Sequence, residues 1–155
     1  MDTELERPRW RFTGNYRLHP RFQAGIEFNA VVAEVSPLAT AFLLTETERR
    51  PAVFLGTSSD RIGSPEGMQA YYATTSKSFH ALHGSVNATL NYSEWDDRIN
   101  FPFGAAVEIG GGLLARYMYD GNRSHLLMDY YFGPVGVSAM YVWLEQFGVA
   151  FHGGF

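Results

Sequence analysis

Apolar and polar residues alternate with a period of two along most of this chain, and this alternation constrains the fold more than any other feature. In the segment 147–155, Phe147, Val149 and Phe151 alternate with small or polar residues. A period of two places successive side chains on opposite faces of a β-strand, and no long segment keeps apolar residues at helical spacing. The pattern therefore predicts an all-β chain.

The same period predicts about eleven strands of roughly ten residues, joined as an antiparallel up-and-down meander. The clearest strands are predicted at 10–18, 22–28, 85–93, 101–109, 125–132, 135–143 and 147–155. Segments 37–46, 51–57 and 68–76 are apolar or neutral on both sides, so they are predicted as strands without assigned faces. A ten-residue strand rises ~33 Å, or ~23 Å across a bilayer when tilted by ~45°. This length favours a transmembrane β-barrel of about 10–12 strands over a soluble sandwich.

Composition excludes several classes of function. The chain has 155 residues, a formal charge of -4 and 15% aromatic residues, which argues against electrostatic nucleic-acid binding and against disorder. The absence of cysteine excludes a disulfide scaffold, a thiolate zinc site and a cysteine nucleophile. One β-barrel domain is expected over residues 1–155, with 1–8 as an N-terminal tail. No secretory signal is recognisable in this chain, because Met1 to Arg9 carries three acidic residues and no apolar stretch follows.

Connection lengths give a second argument for a barrel. Short turns are expected at 19–21, 48–50, 110–112 and 133–134, and longer loops at 30–36, 58–67, 94–98 and 120–124. Membrane barrels have short turns on the periplasmic side and longer loops outside. Two connections fit this rule poorly, because 78–84 is long for its side and 145–146 is very short.

The terminal segment FGVAFHGGF, which closes this strand-rich chain, resembles the last strand of Gram-negative outer-membrane β-barrel proteins. In that family the final aromatic residue belongs to the signal read by the barrel-assembly machinery. The resemblance implies this role for Phe155. It implies the same role for Phe151, which lies four residues earlier on the same face of the predicted strand. It also implies a location in the bacterial outer membrane and contact with membrane lipid or lipopolysaccharide.

Two features depart from that family. No export signal is present in this chain, and eleven strands would place the two chain ends on opposite sides, whereas bacterial single-chain barrels have even strand numbers. A barrel truncated upstream of Met1 accounts for both departures. Alternatively, a miscount of one of the three ambiguous strands accounts for the odd strand number alone. A missing strand or another chain would then be needed to cover an open sheet edge.

Charged residues of both signs fall on the predicted inner face. They are interpreted either as a constriction or binding surface that selects ions, or as ion pairs that fill a narrow barrel. A barrel of about 10–12 strands leaves little open lumen, which favours the second interpretation. The predicted row consists of Arg9, Arg11, Arg17, Glu27, Glu108, Arg116 and Asp129.

Aromatic residues concentrate toward the predicted strand ends, as in the two girdles of a membrane barrel. The main candidates are Tyr92, Trp95, Tyr117, Tyr130, Tyr141 and Trp143. An aromatic-rich soluble core is the alternative, because periodicity alone does not determine which face is buried.

Catalysis is not predicted. Asp129 and Ser138 should pair across the turn at Gly133–Pro134, but His125 lies about four residues further along its strand, ~13 Å away. His152 remains the one base that could approach Ser138, yet no Gly-x-Ser-x-Gly elbow is present. His80 and His83 lack a third ligand nearby in sequence, so no metal site or cofactor is predicted.

The sequence therefore predicts an integral outer-membrane β-barrel with a structural or porin-like transport role and no enzymatic activity. A soluble or periplasmic β-barrel or sandwich that binds a hydrophobic ligand is the first alternative. An outer-membrane lipid hydrolase is the second.

Overall fold

The computed structural model describes residues 11–30, 33–60, 64–65 and 67–154. Within them the chain forms an antiparallel up-and-down meander of 12 strands in one sheet, which confirms the predicted fold class at this level. The strands are β1 (Arg11–His19), β2 (Phe22–Asn29), β3 (Glu34–Leu44), β4 (Ala52–Ser59), β5 (Gln69–Phe79), β6 (Gly84–Ser93), β7 (Arg98–Asn100), β8 (Phe103–Gly110), β9 (Leu113–Tyr119), β10 (Ser124–Phe132), β11 (Val135–Val142) and β12 (Gln146–Gly153).

Strands β7 and β8 occupy one position in the sheet, because both pair with β6. Phe101 and Pro102 separate them, so the strand predicted from residue 101 begins two residues late and is preceded by a short extra strand. Proline has no N–H to donate to a ladder, which explains the interruption. The order of hydrogen-bonded strands, as far as the structure describes the chain, runs from β1 to β12. Among the described residues no ladder pairs β1 with β12, so the sheet is not closed into a barrel, and closure in a membrane stays a prediction.

The connections follow the sequence in most places. Pro20 and Arg21 join β1 to β2, and Gly133, with φ of 65°, begins the predicted turn between β10 and β11. A tight turn lies at 48–50 as predicted, but the regular strands end short of it, so residues 45–51 separate β3 from β4. Thr47 and Arg50 exchange backbone hydrogen bonds of 2.9 and 3.3 Å within that connection.

The chain divides into two compact units. The first comprises residues 1–75 and 89–100, and the second comprises residues 76–88 and 101–155. Each is described separately below.

In the first unit, register assigns the faces that the sequence left open. Glu27 pairs with Thr13 on β1 and with Ser36 on β3, so these three side chains share one face. Glu27 and Ser36 are buried, whereas Ile26 on the other face is 58% exposed. The polar face of this unit is therefore its buried face, and the apolar face is its exposed face. Further members of the exposed face are Phe12, Tyr16, Leu18, Phe28 and Val35.

The second unit repeats this arrangement. Asp129 pairs with Leu114 on β9 and with Ser138 on β11, and both Asp129 and Ser138 are buried. The next residue along β10, Tyr130, lies on the opposite face and is 47% exposed. Other large apolar residues of this exposed face are Val107, Ile109, Leu126, Met128, Phe147, Val149 and Phe151.

Burial in this chain is the inverse of that in a water-soluble domain. Among the described residues, the buried apolar side chains are Ala70 and Trp143, whereas the buried polar or charged residues include Glu27, Asp60 and Asp129. Soluble proteins bury apolar side chains and expose charged ones. No helix within the described ranges is long and apolar enough to cross a bilayer.

Glycines on the buried face allow side chains of the neighbouring strand to lie flat across them. Gly136 faces His152, its partner on β12, and a Cβ on Gly136 would collide with the imidazole ring. Gly25 faces Asn15, its partner on β1, and a Cβ there would collide with the Asn15 side chain and with the backbone of Gly14. The absence of a side chain at these two positions is therefore a packing requirement.

Candidate functional site

A three-residue polar cluster lies on the buried face of the second unit. Arg116 on β9 holds Asp129 on β10 through two contacts, with Nε 2.5 Å from Oδ2 and an Nη2–Oδ1 hydrogen bond of 2.7 Å. Ser138 on β11 donates a short hydrogen bond to Asp129 Oδ1. The Asp129 side chain is fully buried, and that of Arg116 is 40% exposed. The carboxylate therefore has charged and neutral partners from both adjacent strands.

The register explains this cluster. Asp129 and Ser138 are directly opposite across the turn at Gly133–Pro134, which confirms the predicted pairing. Arg116 is opposite Leu127, so its guanidinium reaches Asp129 diagonally, one same-face position along β10. Diagonal neighbours lie about 7–8 Å apart, within reach of a long side chain.

The geometry does not form a hydrolase triad. The hydroxyl of Ser138 is directed to a carboxylate rather than to an imidazole. His152 is opposite Gly136 and stacks edge-on against Tyr131, with 5.0 Å between ring centroids. A serine nucleophile needs a base within hydrogen-bond reach. The Ser138 hydroxyl instead supplies a hydrogen bond to the buried Asp129 carboxylate.

The first unit contains a comparable cluster. Arg11 on β1 forms an ion pair with Glu27 on β2, and its Nη2 donates a 3.2 Å hydrogen bond to Ser59 Oγ. Ser59 in turn donates a 2.6 Å hydrogen bond to Glu27 Oε1. Because Ser59 ends β4, this cluster connects strands that are distant in sequence. Its members form a closed network around one buried carboxylate.

Asp60 is a second buried carboxylate in this unit, and the sequence did not predict that it belongs to a polar network. Asp60 Oδ2 accepts a 2.6 Å hydrogen bond from Ser93 and a 3.2 Å hydrogen bond from the backbone N–H of Trp95. Ser93 Oγ also accepts a 3.1 Å hydrogen bond from the N–H of Asp96. The sequence predicts a long loop over 58–67, and Asp60 within it is only 4% exposed. Its position directly after a strand is the one sequence signal that could have indicated this capping role.

The remaining residues of the predicted charged row are placed separately. Arg17 lies over the ring of Phe42 at 4.9 Å, a cation–π contact. Glu108 lines a pocket with His80 and His83, and its backbone N–H donates a 2.7 Å hydrogen bond to the carbonyl of His83. Arg9 lies outside the described residues. The described members of the predicted row therefore do not form one row. They lie in separate local contacts within each unit.

The aromatic candidates differ in their surroundings. Tyr117, Tyr130 and Tyr141 lie on the exposed face, and Tyr141 stacks on Phe147 with 4.7 Å between centroids. Tyr92 is 39% exposed, and its hydroxyl donates a 2.7 Å hydrogen bond to an Asp97 carboxylate oxygen. In the same unit, Trp95 is half-buried.

Trp143 departs from the predicted girdle. It is 8% exposed and has φ of 56°, because β11 ends at Val142 and the turn begins there. The guanidinium of Arg123 covers the Trp143 ring at 4.4 Å. The placement of Trp143 by strand alternation is therefore wrong. At the chain end, Phe151 is 81% exposed on the exposed face, and Phe155 lies outside the described residues.

The turn between β9 and β10 is organised by Asp120. Its Oδ1 accepts hydrogen bonds from the N–H groups of Asn122 and Arg123, at 2.8 and 2.7 Å, and its Oδ2 lies 2.9 Å from His125 Nε2. Burial alone would raise the pKa of Asp120, but these hydrogen bonds outweigh it and hold the pKa below its ordinary value. The arrangement explains Asp120-Gly121-Asn122 as a tight turn.

Comparison with known proteins adds no family assignment. No protein-family model, curated protein or solved structure matches this chain. The part of the chain that the structure describes contains no group of three or more His, Cys, Asp or Glu side chains arranged to hold a metal ion. The chemistry of the site therefore rests on the two ion-pair clusters and the capped Asp60.

Proposed function

We propose that this chain is an integral outer-membrane β-barrel protein with a structural role and no catalytic activity. The observation that carries the proposal is the inverted burial of both units. Large apolar side chains such as Phe12, Ile26 and Val149 are 55%, 58% and 64% exposed, whereas the charged Asp129 is fully buried. Water makes such an exposed apolar face unfavourable, and a hydrocarbon solvent makes it favourable.

A membrane location also accounts for the backbone. In hydrocarbon every backbone N–H and C=O needs an internal partner, and a closed antiparallel barrel supplies one without sheet edges. The meander order is the strand order of such a barrel. We therefore retain closure of the sheet as part of the proposal, with lipid in contact with the exposed face.

The polar clusters support a structural role over a porin-like pore. Arg11 and Arg116 are each paired with a buried carboxylate on the adjacent strand. Paired charges that connect three strands fill the space between those strands and fix their register. In a water-filled channel for solutes, these arginine and carboxylate groups would be hydrated and not paired with each other. Transport is the weaker candidate on these contacts.

The proposal predicts that the folded chain depends on an amphiphile. Purified protein should stay monodisperse and rich in β structure in detergent, and should aggregate when the detergent is removed without lipid. It should then insert into vesicles and resist extraction at high salt. Light scattering, circular dichroism and vesicle flotation measure these three properties. A folded monomer that stays soluble in plain buffer would reject the membrane proposal and support the soluble ligand-binding alternative.

A further inference from the structure

Charged residues differ between the two ends of the strands in the first unit. Successive connections of an up-and-down meander alternate between these ends. The connections after β1 and β3, residues 20–21 and 45–51, form one end, here called the arginine end. The connections after β2, β4 and β6 form the other, here called the acidic end. The described charged residues of the arginine end are Arg21, Glu46, Glu48, Arg49 and Arg50. Those of the acidic end are Glu34, Asp60, Glu94, Asp96, Asp97 and Arg98.

The carboxylates of the acidic end have internal partners. Glu94 accepts hydrogen bonds from the backbone N–H of Gln69 at 2.8 Å and from the Tyr71 hydroxyl at 3.1 Å. Glu34 accepts one of 2.5 Å from the N–H of Gly67. The aspartates are also bonded, Asp60 to Ser93, Asp96 to Arg98 and Asp97 to Tyr92. These groups therefore hold the loops of their own chain.

The three arginines of the arginine end have no such partners. Arg21, Arg49 and Arg50 are exposed, and among the described residues none of their guanidinium groups forms a hydrogen bond or an ion pair. The backbone holds the connection between β3 and β4, because Arg50 exchanges main-chain hydrogen bonds with the residue three positions earlier. Glu46 and Glu48 in the same connection have interactions of their own. Three cations are therefore available to an anion outside the chain.

Apolar side chains of the exposed face adjoin these arginines. Phe22 follows Arg21 directly and is 39% exposed, and Leu18, near the end of β1, is 62% exposed. An anion in free solution would meet only the guanidinium groups. A phospholipid meets both kinds of group, because its phosphate lies at the membrane surface above its acyl chains. Arginines at the ends of apolar membrane segments extend to this level.

We infer that the arginine end of the first unit binds the headgroups of anionic phospholipids, a proposal that rests on the membrane location proposed above. Arg21, Arg49 and Arg50 contact the phosphates, and Leu18 and Phe22 contact the acyl chains beneath them. Arginine suits this role because its guanidinium donates two parallel hydrogen bonds to a phosphate. Each cation close to an anionic membrane surface adds to the attraction. The carboxylates of the acidic end repel the same headgroups.

Two single-cysteine variants test this inference, since the chain has no native cysteine. Leu18→Cys lies near the arginine end and Val35→Cys near the acidic end, and both native side chains are 62% exposed on the exposed face. Each variant carries the same fluorophore in vesicles of equal amounts of phosphatidylglycerol and phosphatidylcholine with identical acyl chains. Bromine is placed on the chains of one lipid or of the other, so quenching reports which lipid lies beside the label.

We expect phosphatidylglycerol to be enriched about fivefold over phosphatidylcholine beside Leu18→Cys, and neither lipid to be enriched beside the other label. The triple variant Arg21→Gln, Arg49→Gln and Arg50→Gln should abolish the enrichment. Arg98→Gln, which removes a paired arginine from the acidic end, is the control and should leave it unchanged. Salt at about 1 M should lower the enrichment, because the Debye length falls to ~3 Å.

Equal quenching by the two lipids at Leu18→Cys would overturn the inference, as would an enrichment that persists in the triple variant. If both lipids quench both labels equally, the membrane proposal stands and the arginine end is rejected as a headgroup site. If neither lipid quenches either label, both proposals fail together. Circular dichroism verifies that the triple variant folds. If it does not fold, the comparison of Leu18→Cys with Val35→Cys decides alone, and equal lipid preference at the two labels rejects the inference.

Discussion

Replacement of Gly25 by alanine should destabilise the chain by about 3 kcal/mol, because the new Cβ has no room. A Cβ at Gly25 would lie on the carbonyl oxygen of Gly14 and against the Asn15 side chain and Cα, closer than real Cβ atoms approach other atoms. Two of these obstacles are backbone atoms of β1, which pairs with β2 at this position. The substitution therefore forces the two strands apart, and urea-induced unfolding in detergent measures the loss.

Gly14 provides the matched control. It lies one residue before Asn15 on the exposed face of the same strand, and a Cβ there would have no neighbour within 4 Å. Gly14→Ala should leave the free energy of unfolding unchanged or raise it slightly, because alanine restricts the unfolded chain. Equal effects of the two substitutions would contradict the packing described for the buried face.

Replacement of Arg116 by methionine should lower the free energy of unfolding by about 3–5 kcal/mol, because it leaves the buried Asp129 charge without its cation. The Asp129 side chain is fully buried and retains only the Ser138 hydroxyl among its side-chain partners described above. The double variant Arg116→Met with Asp129→Asn should recover most of the loss, because it removes the charge together with its partner. Chemical unfolding of the two variants measures this recovery.

An exposed ion pair supplies the comparison. Arg98 is 56% exposed and lies 3.4 Å from Asp96. Arg98→Met should change the free energy of unfolding by no more than about 1 kcal/mol, since solvent screens such pairs. A loss for Arg116→Met as small as that for Arg98→Met would show that Asp129 is hydrated and would reject the role proposed for its cluster.

The strands were predictable because their signal is local. Alternation follows from the geometry of a single strand, so Val135 to Val142 could be assigned without knowledge of its neighbours. The faces of β3 were not predictable, because residues 34–36 were expected in a loop and Pro37 and Ala39 are no more apolar than Leu38 on the other face. Pairing with Glu27 determines that Ser36 is buried, and that information lies on another strand.

The candidate site was predictable only where its residues are close in sequence. Asp129 and Ser138 flank one turn, so their contact followed from the turn alone. The hydrogen bond of Asp60 to Ser93 joins residues 33 positions apart and depends on the register of several strands. Trp143 was misplaced for a different reason: its left-handed backbone begins a turn, and the strand alternation no longer applies there.

The central claim is that lipid contacts the exposed face and not the buried one, and two single-cysteine variants test it directly. The chain has no native cysteine, so a label at one position is unambiguous. Ala139 and Ala150 lie on adjacent strands and on opposite faces, since Ala139 is opposite Val149 and Ala150 is opposite the buried Ser138. An environment-sensitive fluorophore on each is compared in vesicles made with brominated acyl chains. We expect strong quenching of the label at Ala139→Cys and weak quenching at Ala150→Cys. Equal quenching, or stronger quenching at Ala150→Cys, would contradict the proposed membrane orientation of the sheet.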